Sequence, residues 1–223
     1  MQRCRKDFRV SDSCHRLLAF TLMELPPLLG DGNGVYRVHL VGNAGAGKST
    51  VGREVAKILG VPYICLDELF WKPGWGQETH EQFRLNVENA LAASPNGWVV
   101  DGNYSRRIGD IVVDASTDEI WLDPPLALYL PRIAIRTFAR LFGLAAPCRP
   151  GCEETIDVFF SRENMILWCF QNHGRVRRRE SARFEKIGLG VGTDVEDRKM
   201  RRLGGWGSEV SAWLNQVREL ARA

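Results

Sequence analysis

The chain has no apolar run long enough to enter a membrane. Its longest early run, Leu17–Met23, spans seven residues and stops at Glu24, whereas a spanning helix needs about 20. No small-residue cleavage pattern follows that run, so a secretory leader is not expected. An excess of one charge is also lacking. Thirty Lys and Arg face 27 Asp and Glu, a formal net charge of +3, too little to imply nucleic-acid binding by bulk electrostatics. Cys4, Cys14, Cys65, Cys148, Cys152 and Cys169 are scattered and lack the spacing of a disulfide framework or of a four-ligand zinc site. Free thiols in a reducing, cytoplasmic setting are the expectation. What is present is ordinary for a soluble domain: 223 residues, 44% hydrophobic and 26% charged, enough to bury a substantial core.

Residues 1–34 read as an N-terminal extension and linker, broken by Pro26-Pro27 and by Gly30-Asp31-Gly32-Asn33-Gly34. Asp7, Asp12 and Glu24 argue against an organelle-targeting peptide. Residues 35–223 read as one domain. Val35–Val41 is β-branched and bounded by glycine, which predicts a strand. Val51, Val55, Ile58 and Leu59 form an apolar stripe that predicts a helix over 48–59. Further strands are expected at 62–66, 97–100, 119–122 and 199–203. Further helices are expected at 78–93, 126–142, 156–170 and 208–221. Such alternation implies an α/β fold, a parallel sheet with helices on both faces. The glycine-rich piece 188–192 reads as part of an insertion over about 184–198.

The strongest motif is Gly42-Asn43-Ala44-Gly45-Ala46-Gly47-Lys48-Ser49. It fits the phosphate-binding G-x-x-x-x-G-K-[ST] pattern, and it lies between an expected strand and an expected helix, as that pattern requires. Gly42 and Gly47 let the backbone curl so that successive N–H groups face inward. The helix N-terminus adds positive potential. Lys48 reaches the β- and γ-phosphates, Ser49 binds Mg²⁺, and Thr50 is placed near the α-phosphate. ATP and Mg²⁺ are therefore the expected cofactors.

Asn-Lys-x-Asp, which reads guanine in GTPases, does not occur. Neither does the Leu-Ser-Gly-Gly signature of transport ATPases, nor a hydrophobic strand ending in Asp-Glu. Small-molecule kinases remain. In an open parallel sheet, ligands bind beyond the carboxyl ends of the strands. Asp67 and Asp101 both lie at such ends. Either can orient an acceptor hydroxyl, take its proton or hold a metal-bound water.

Three segments carry a resemblance. Leu66-Asp67-Glu68-Leu69-Phe70-Trp71-Lys72-Pro73-Gly74-Trp75, then Asp101-Gly102-Asn103-Tyr104, then a strand ending Trp121-Leu122-Asp123 occur in that order. They resemble the adenylate-kinase-like P-loop proteins labelled DNA topology modulation or FlaR-related. The resemblance spans about 35–183 and implies a three-layer α/β/α P-loop fold with a helical lid, placed here at about 143–183. It implies ATP binding and transfer of its γ-phosphoryl group to a small acceptor, a nucleoside or nucleotide being one candidate. The alternative that it carries is a nucleotide-dependent module acting on nucleic acid. The Gly-Phe-Pro-Arg of true adenylate kinases is altered, with Arg106 retained one place later.

Arg132, Arg136 and Arg140 recur every four residues on one helix face. Convergent arginines stabilise the charge of a transferring phosphoryl group, which makes Arg136 and Arg140 catalytic candidates beside Lys48 and Asp67. A second cluster, Arg175, Arg177, Arg178, Arg179 and Arg183, reads as lid, solvated face or nucleic-acid patch. Trp71, Trp75, Asp101, Tyr104 and Arg106 join Asp67 as acceptor-binding candidates. Ser49 is the metal candidate, with Asp101 or Asp123 in its outer shell. His39 reads as buried structure.

Overall fold

The computed structural model describes residues 25–144, 151–152 and 165–222, with backbone only for 165–168. β1 (Tyr36–Gly42) leads to α1 (Lys48–Leu59), β2 (Tyr63–Cys65), the short α2 (Leu66–Phe70) and a hairpin of β3 (Trp71–Lys72) and β4 (Gly76–Gln77). α3 (His80–Ala92) precedes β5 (Gly97–Asp101), the short α4 (Ser105–Ile108) and α5 (Ile111–Ala115), and β6 (Asp118–Leu122). α6 (Leu126–Leu141), α7 (Met165–Ile187), β7 (Met200–Leu203) and α8 (Ser208–Leu220) complete it.

Five strands pair in parallel in the order β2-β5-β1-β6-β7. Side chains alternate between the two faces of each strand. Val38 and Leu40 of β1, Val99 of β5 and Ile120 and Leu122 of β6 pack on one face, against Val51 and Val55 of α1 and Trp213 and Val217 of α8. On the other face Val41 and Trp121 meet Phe184 and Ile187 of α7, while Trp98 and Val100 meet Phe70, Phe83 and Val112. Both faces are thus covered, which is the three-layer α/β/α arrangement. Each fully buried aliphatic or aromatic side chain here contributes roughly 1.5–3 kcal/mol. Among the described residues no helix is long and apolar enough to cross a membrane.

The differences from the sequence reading are local. Leu66 leaves the expected strand and, with Asp67, begins α2, because a five-residue helix is too short to show a period. Residues 71–77, between the expected strand and helix, form the hairpin. Residues 184–187 continue α7 rather than starting an insertion, since Phe184 and Ile187 are needed by the core. The expected helix 156–170 falls largely outside the described residues; 165–170 open α7. Leu28, read as linker, is 2% exposed in the core. Leu29 N and Gly30 N donate to the Asp118 carboxylate at 2.6 and 3.0 Å, and Trp213 Nε1 donates to Pro27 O at 2.8 Å.

Candidate active site

The turn between β1 and α1 is held in shape from several sides. Asn43 is buried, and its amide donates to Tyr129 Oη at 2.8 Å and to Cys169 O at 3.2 Å, tying the turn to α6 and α7. Its Oδ1 accepts from Ala44 N at 2.9 Å. Tyr129 Oη also lies 2.5 Å from His173 Nδ1. Gly45 has φ +77, and a Cβ there would sit 2.4 Å from Ile133 Cγ1, so only glycine fits against α6. Asn103 grips the first glycine from just beyond the end of β5. Its Nδ2 donates to Gly42 O at 2.7 Å and its Oδ1 accepts from Gly42 N at 3.4 Å.

Lys48 folds over this turn, its Nζ donating to Asn43 O at 3.1 Å. Ser49 Oγ donates to Asp101 Oδ2 at 2.7 Å, and Tyr63 Oη donates to the same oxygen at 2.9 Å. Asp101 is only 4% exposed. Two hard oxygen donors at the mouth of a phosphate loop fit Mg²⁺, which is held by few protein oxygens together with phosphate oxygens and water. Asp123, the other outer-shell candidate, is engaged elsewhere. Arg177 Nε lies 3.3 Å and Arg202 Nη2 2.5 Å from its Oδ2.

Asp67 stands in the first turn of α2, where its Oδ1 accepts from Tyr104 Oη at 2.6 Å. Cys65 pairs in register with Asp101 across β2 and β5. Burial, then the charges of Asp67 and Asp101, push its thiol up to about 11. Both carboxylates thus bear on one point at adjacent strand ends, and the thiol between them stays protonated. Burial, then Asp101, also raises the Tyr63 phenol, which remains a donor.

The aromatic candidates divide. The Tyr104 ring packs 5.1 Å from both Phe70 and Phe83, so it offers the cleft its hydroxyl rather than a stacking face. Trp71 and Trp75 meet edge to face at 5.5 Å beside the hairpin turn. Trp75 has φ +60, the sole non-glycine residue with positive φ among those described. A bulky side chain in that region is strained, and such strain concentrates at functional sites. Arg106 is exposed on α4. Its neighbour Arg107 turns inward instead, stacking 4.6 Å over Phe70 and bonding Gln77 Oε1 at 3.2 Å.

Among the arginines of α6, Arg136 is close enough for its charge, with that of Lys48, to act on Cys169, whose thiol burial nevertheless pushes up to about 11. Arg140 is half-buried one turn further on. The cluster 175–183 is not a continuous basic patch. Arg177 pairs with Asp123, Arg179 with Glu180, and Arg183 with both Glu119 and Glu180.

Sequence reasoning missed Asn103, although it lies in the quoted Asp101–Tyr104 segment. It also missed the Asn43–Tyr129 link, for which no local signal exists.

The Shikimate kinase family model matches residues 44–93, which contain the phosphate turn from Ala44 onward, Asp67 and the hairpin. No curated protein matches the chain. Among solved structures, a shikimate kinase from Bacteroides thetaiotaomicron is similar at 16% identity and a TM-score of 0.49, covering 84% of this chain and 99% of its own. A gluconokinase from Sinorhizobium meliloti 1021 shows 15% identity and a TM-score of 0.45, covering 84% and 94%. A shikimate kinase from Acinetobacter baumannii, in complex with shikimate, shows 18% identity and a TM-score of 0.41, covering 84% and 89%.

Proposed function

We propose that this chain is a P-loop phosphotransferase that moves the γ-phosphoryl group of ATP to a hydroxyl of a small-molecule acceptor. The observation that carries the reading is the juxtaposition of two oxygen centres at adjacent strand ends. One is Ser49–Asp101 beside the phosphate turn, and the other is Asp67–Tyr104 on the acceptor side. The match of residues 44–93 to the Shikimate kinase model supports it.

In this reading the amides of Gly42–Thr50 and Lys48 Nζ hold the polyphosphate, and bound Mg²⁺ supplies charge neutralisation of its oxygens. Ser49 presents its hydroxyl to the metal, and Asp101 orients that hydroxyl. Asp67 faces the acceptor with Oδ2, because Tyr104 occupies Oδ1. As the acceptor oxygen bonds to the γ-phosphorus and the bond to the β-bridging oxygen breaks, Asp67 takes the acceptor's proton and ADP leaves. Arg136 and Arg140 stabilise the charge on the transferring group. Trp71 and Trp75 line the acceptor side.

Neighbours named for shikimate and gluconate make those hydroxy acids the first acceptors to try. The experiment is magnesium-dependent ATP consumption with shikimate, D-gluconate, nucleosides and nucleoside monophosphates, in parallel with DNA. Stimulation by a small hydroxy compound supports the reading. Stimulation by DNA alone overturns it.

A further inference from the structure

His39 lies in the middle of β1, 5% exposed, on the face that it shares with Arg37 and Val41. A buried imidazole is costly unless it is bonded. Its Nε2 lies 2.9 Å from Gly102 O. A carbonyl oxygen only accepts, so Nε2 carries the hydrogen. Nδ1 has no hydrogen-bond partner among the described residues and lies 3.8 Å from Glu119 Oε1. The hydrogen bond of the ring thus goes to Gly102, while its other nitrogen faces the Glu119 carboxylate.

Gly102 needs that commitment. Its φ is +143, and a Cβ there would meet Leu66 Cβ at 2.8 Å. Its N–H donates to Leu40 O at 3.3 Å while its carbonyl accepts from His39. Both backbone polar groups of this residue are thus fixed by β1. The next two residues face opposite halves of the cleft: Asn103 grips Gly42 and Tyr104 bonds Asp67. Behind the ring, Glu119 is bound by Arg183 at 2.6 Å through both oxygens, and Arg183 also bonds Glu180 at 3.0 Å. That set of charges anchors α7 against β6, the neighbour of β1 on the side away from β5.

We infer that His39 is a positioning residue: its Nε2–H sets the orientation of the Gly102 peptide and thereby aligns Asn103 with the phosphate turn and Tyr104 with Asp67. The inference rests on the phosphotransfer reading, which gives those two residues their roles. A purely structural histidine behaves differently. Replacing it with leucine then trades a buried polar ring for an apolar side chain and leaves ligand affinity unchanged.

The test uses the full chain with His39→Leu, which removes the donor, and His39→Gln, whose amide nitrogen replaces it. Amide hydrogen exchange is followed at residues 103–107, and the Kd for magnesium with a non-hydrolysable ATP analogue is read by calorimetry. The expected result is about tenfold faster exchange at 103–107 in the leucine variant, the loss of one hydrogen bond to a fixed peptide. Exchange in α1 and α8 stays unchanged, the Kd weakens about tenfold, and glutamine restores both. Exchange that rises equally everywhere, or a glutamine variant no better than leucine, overturns the inference. In the wild-type protein, nitrogen NMR of the ring must show hydrogen on Nε2; its absence there also overturns it, even if the leucine variant does not fold. A wild-type chain that binds no nucleotide refutes the phosphotransfer reading, whereas the exchange contrast still decides the role of His39.

Discussion

The Ser49 hydroxyl and the Asp101 carboxylate are joined at 2.7 Å across 52 positions of sequence. Ser49 opens α1 and Asp101 ends β5, and β5 lies beside β1 in the sheet. Pairing of these strands therefore sets the separation of the two oxygens. Tyr63 Oη approaches the same carboxylate oxygen from β2, so two neighbouring strands and α1 meet at one acidic side chain.

Asp101→Asn should weaken the response to the metal more than the response to nucleotide. The carboxylate orients the serine oxygen, and loss of such outer partners typically costs 10–100-fold in metal affinity. A titration of ATP consumption against Mg²⁺ should shift its half-maximal concentration by about that factor. An unshifted curve would remove Asp101 from the metal site.

Lys48→Ala should leave circular dichroism unchanged and lower turnover by about 10²–10³-fold, the usual cost of removing a group aimed at developing charge. Among the described residues the ammonium bonds Asn43 O, and the core packs without it. Full activity in this variant would refute its assigned role.

Asp67→Asn and Tyr104→Phe separate proton transfer from placement. The asparagine variant should bind nucleotide normally while acceptor-dependent turnover drops about 10²–10⁴-fold. Tyr104→Phe keeps the ring packed on Phe70 and Phe83 and should cost about tenfold, chiefly in acceptor KM. Equal losses in both variants would mean that Asp67 only orients.

Acid stability should report Glu119. Burial alone opposes its charge, but His39 and Arg183 hold the carboxyl below its ordinary value of 4.5. A lowered folded value makes the ionised form stabilising above pH 4.5. That contribution is then lost as pH falls through the folded value. Glu119→Gln should cost about 3–5 kcal/mol at neutral pH, since Arg183 loses its main buried partner. It should also flatten the fall of the urea midpoint below pH 4.5. Parallel curves for the two proteins would assign the acid transition to another group.

The phosphate turn was readable because its spacing is a local property: glycines, lysine and serine sit where one turn of chain needs them. Asp67 and Asp101 were readable because a parallel sheet brings strand ends together. The grips on that turn were not. Asn43 meets Tyr129 at a separation of 86 residues and His39 meets Gly102 at 63, and neither pairing leaves a periodic trace. The partners of the basic cluster 175–183 were hidden for the same reason. Its acidic partners Glu119 and Asp123 lie near the start of β6 and just past its end, which composition along the helix does not reveal.

The segment Leu25–Gly30 behaves as a strap beneath the sheet. Pro26 and Pro27 carbonyls accept from Arg201 and Trp213, Leu28 fills the core, and Leu29 and Gly30 supply amide hydrogens to Asp118. A truncation beginning at Val35 would strand an enclosed carboxylate and open a hole the size of one leucine. For anyone preparing a shortened version, the workable cut lies upstream of Leu25.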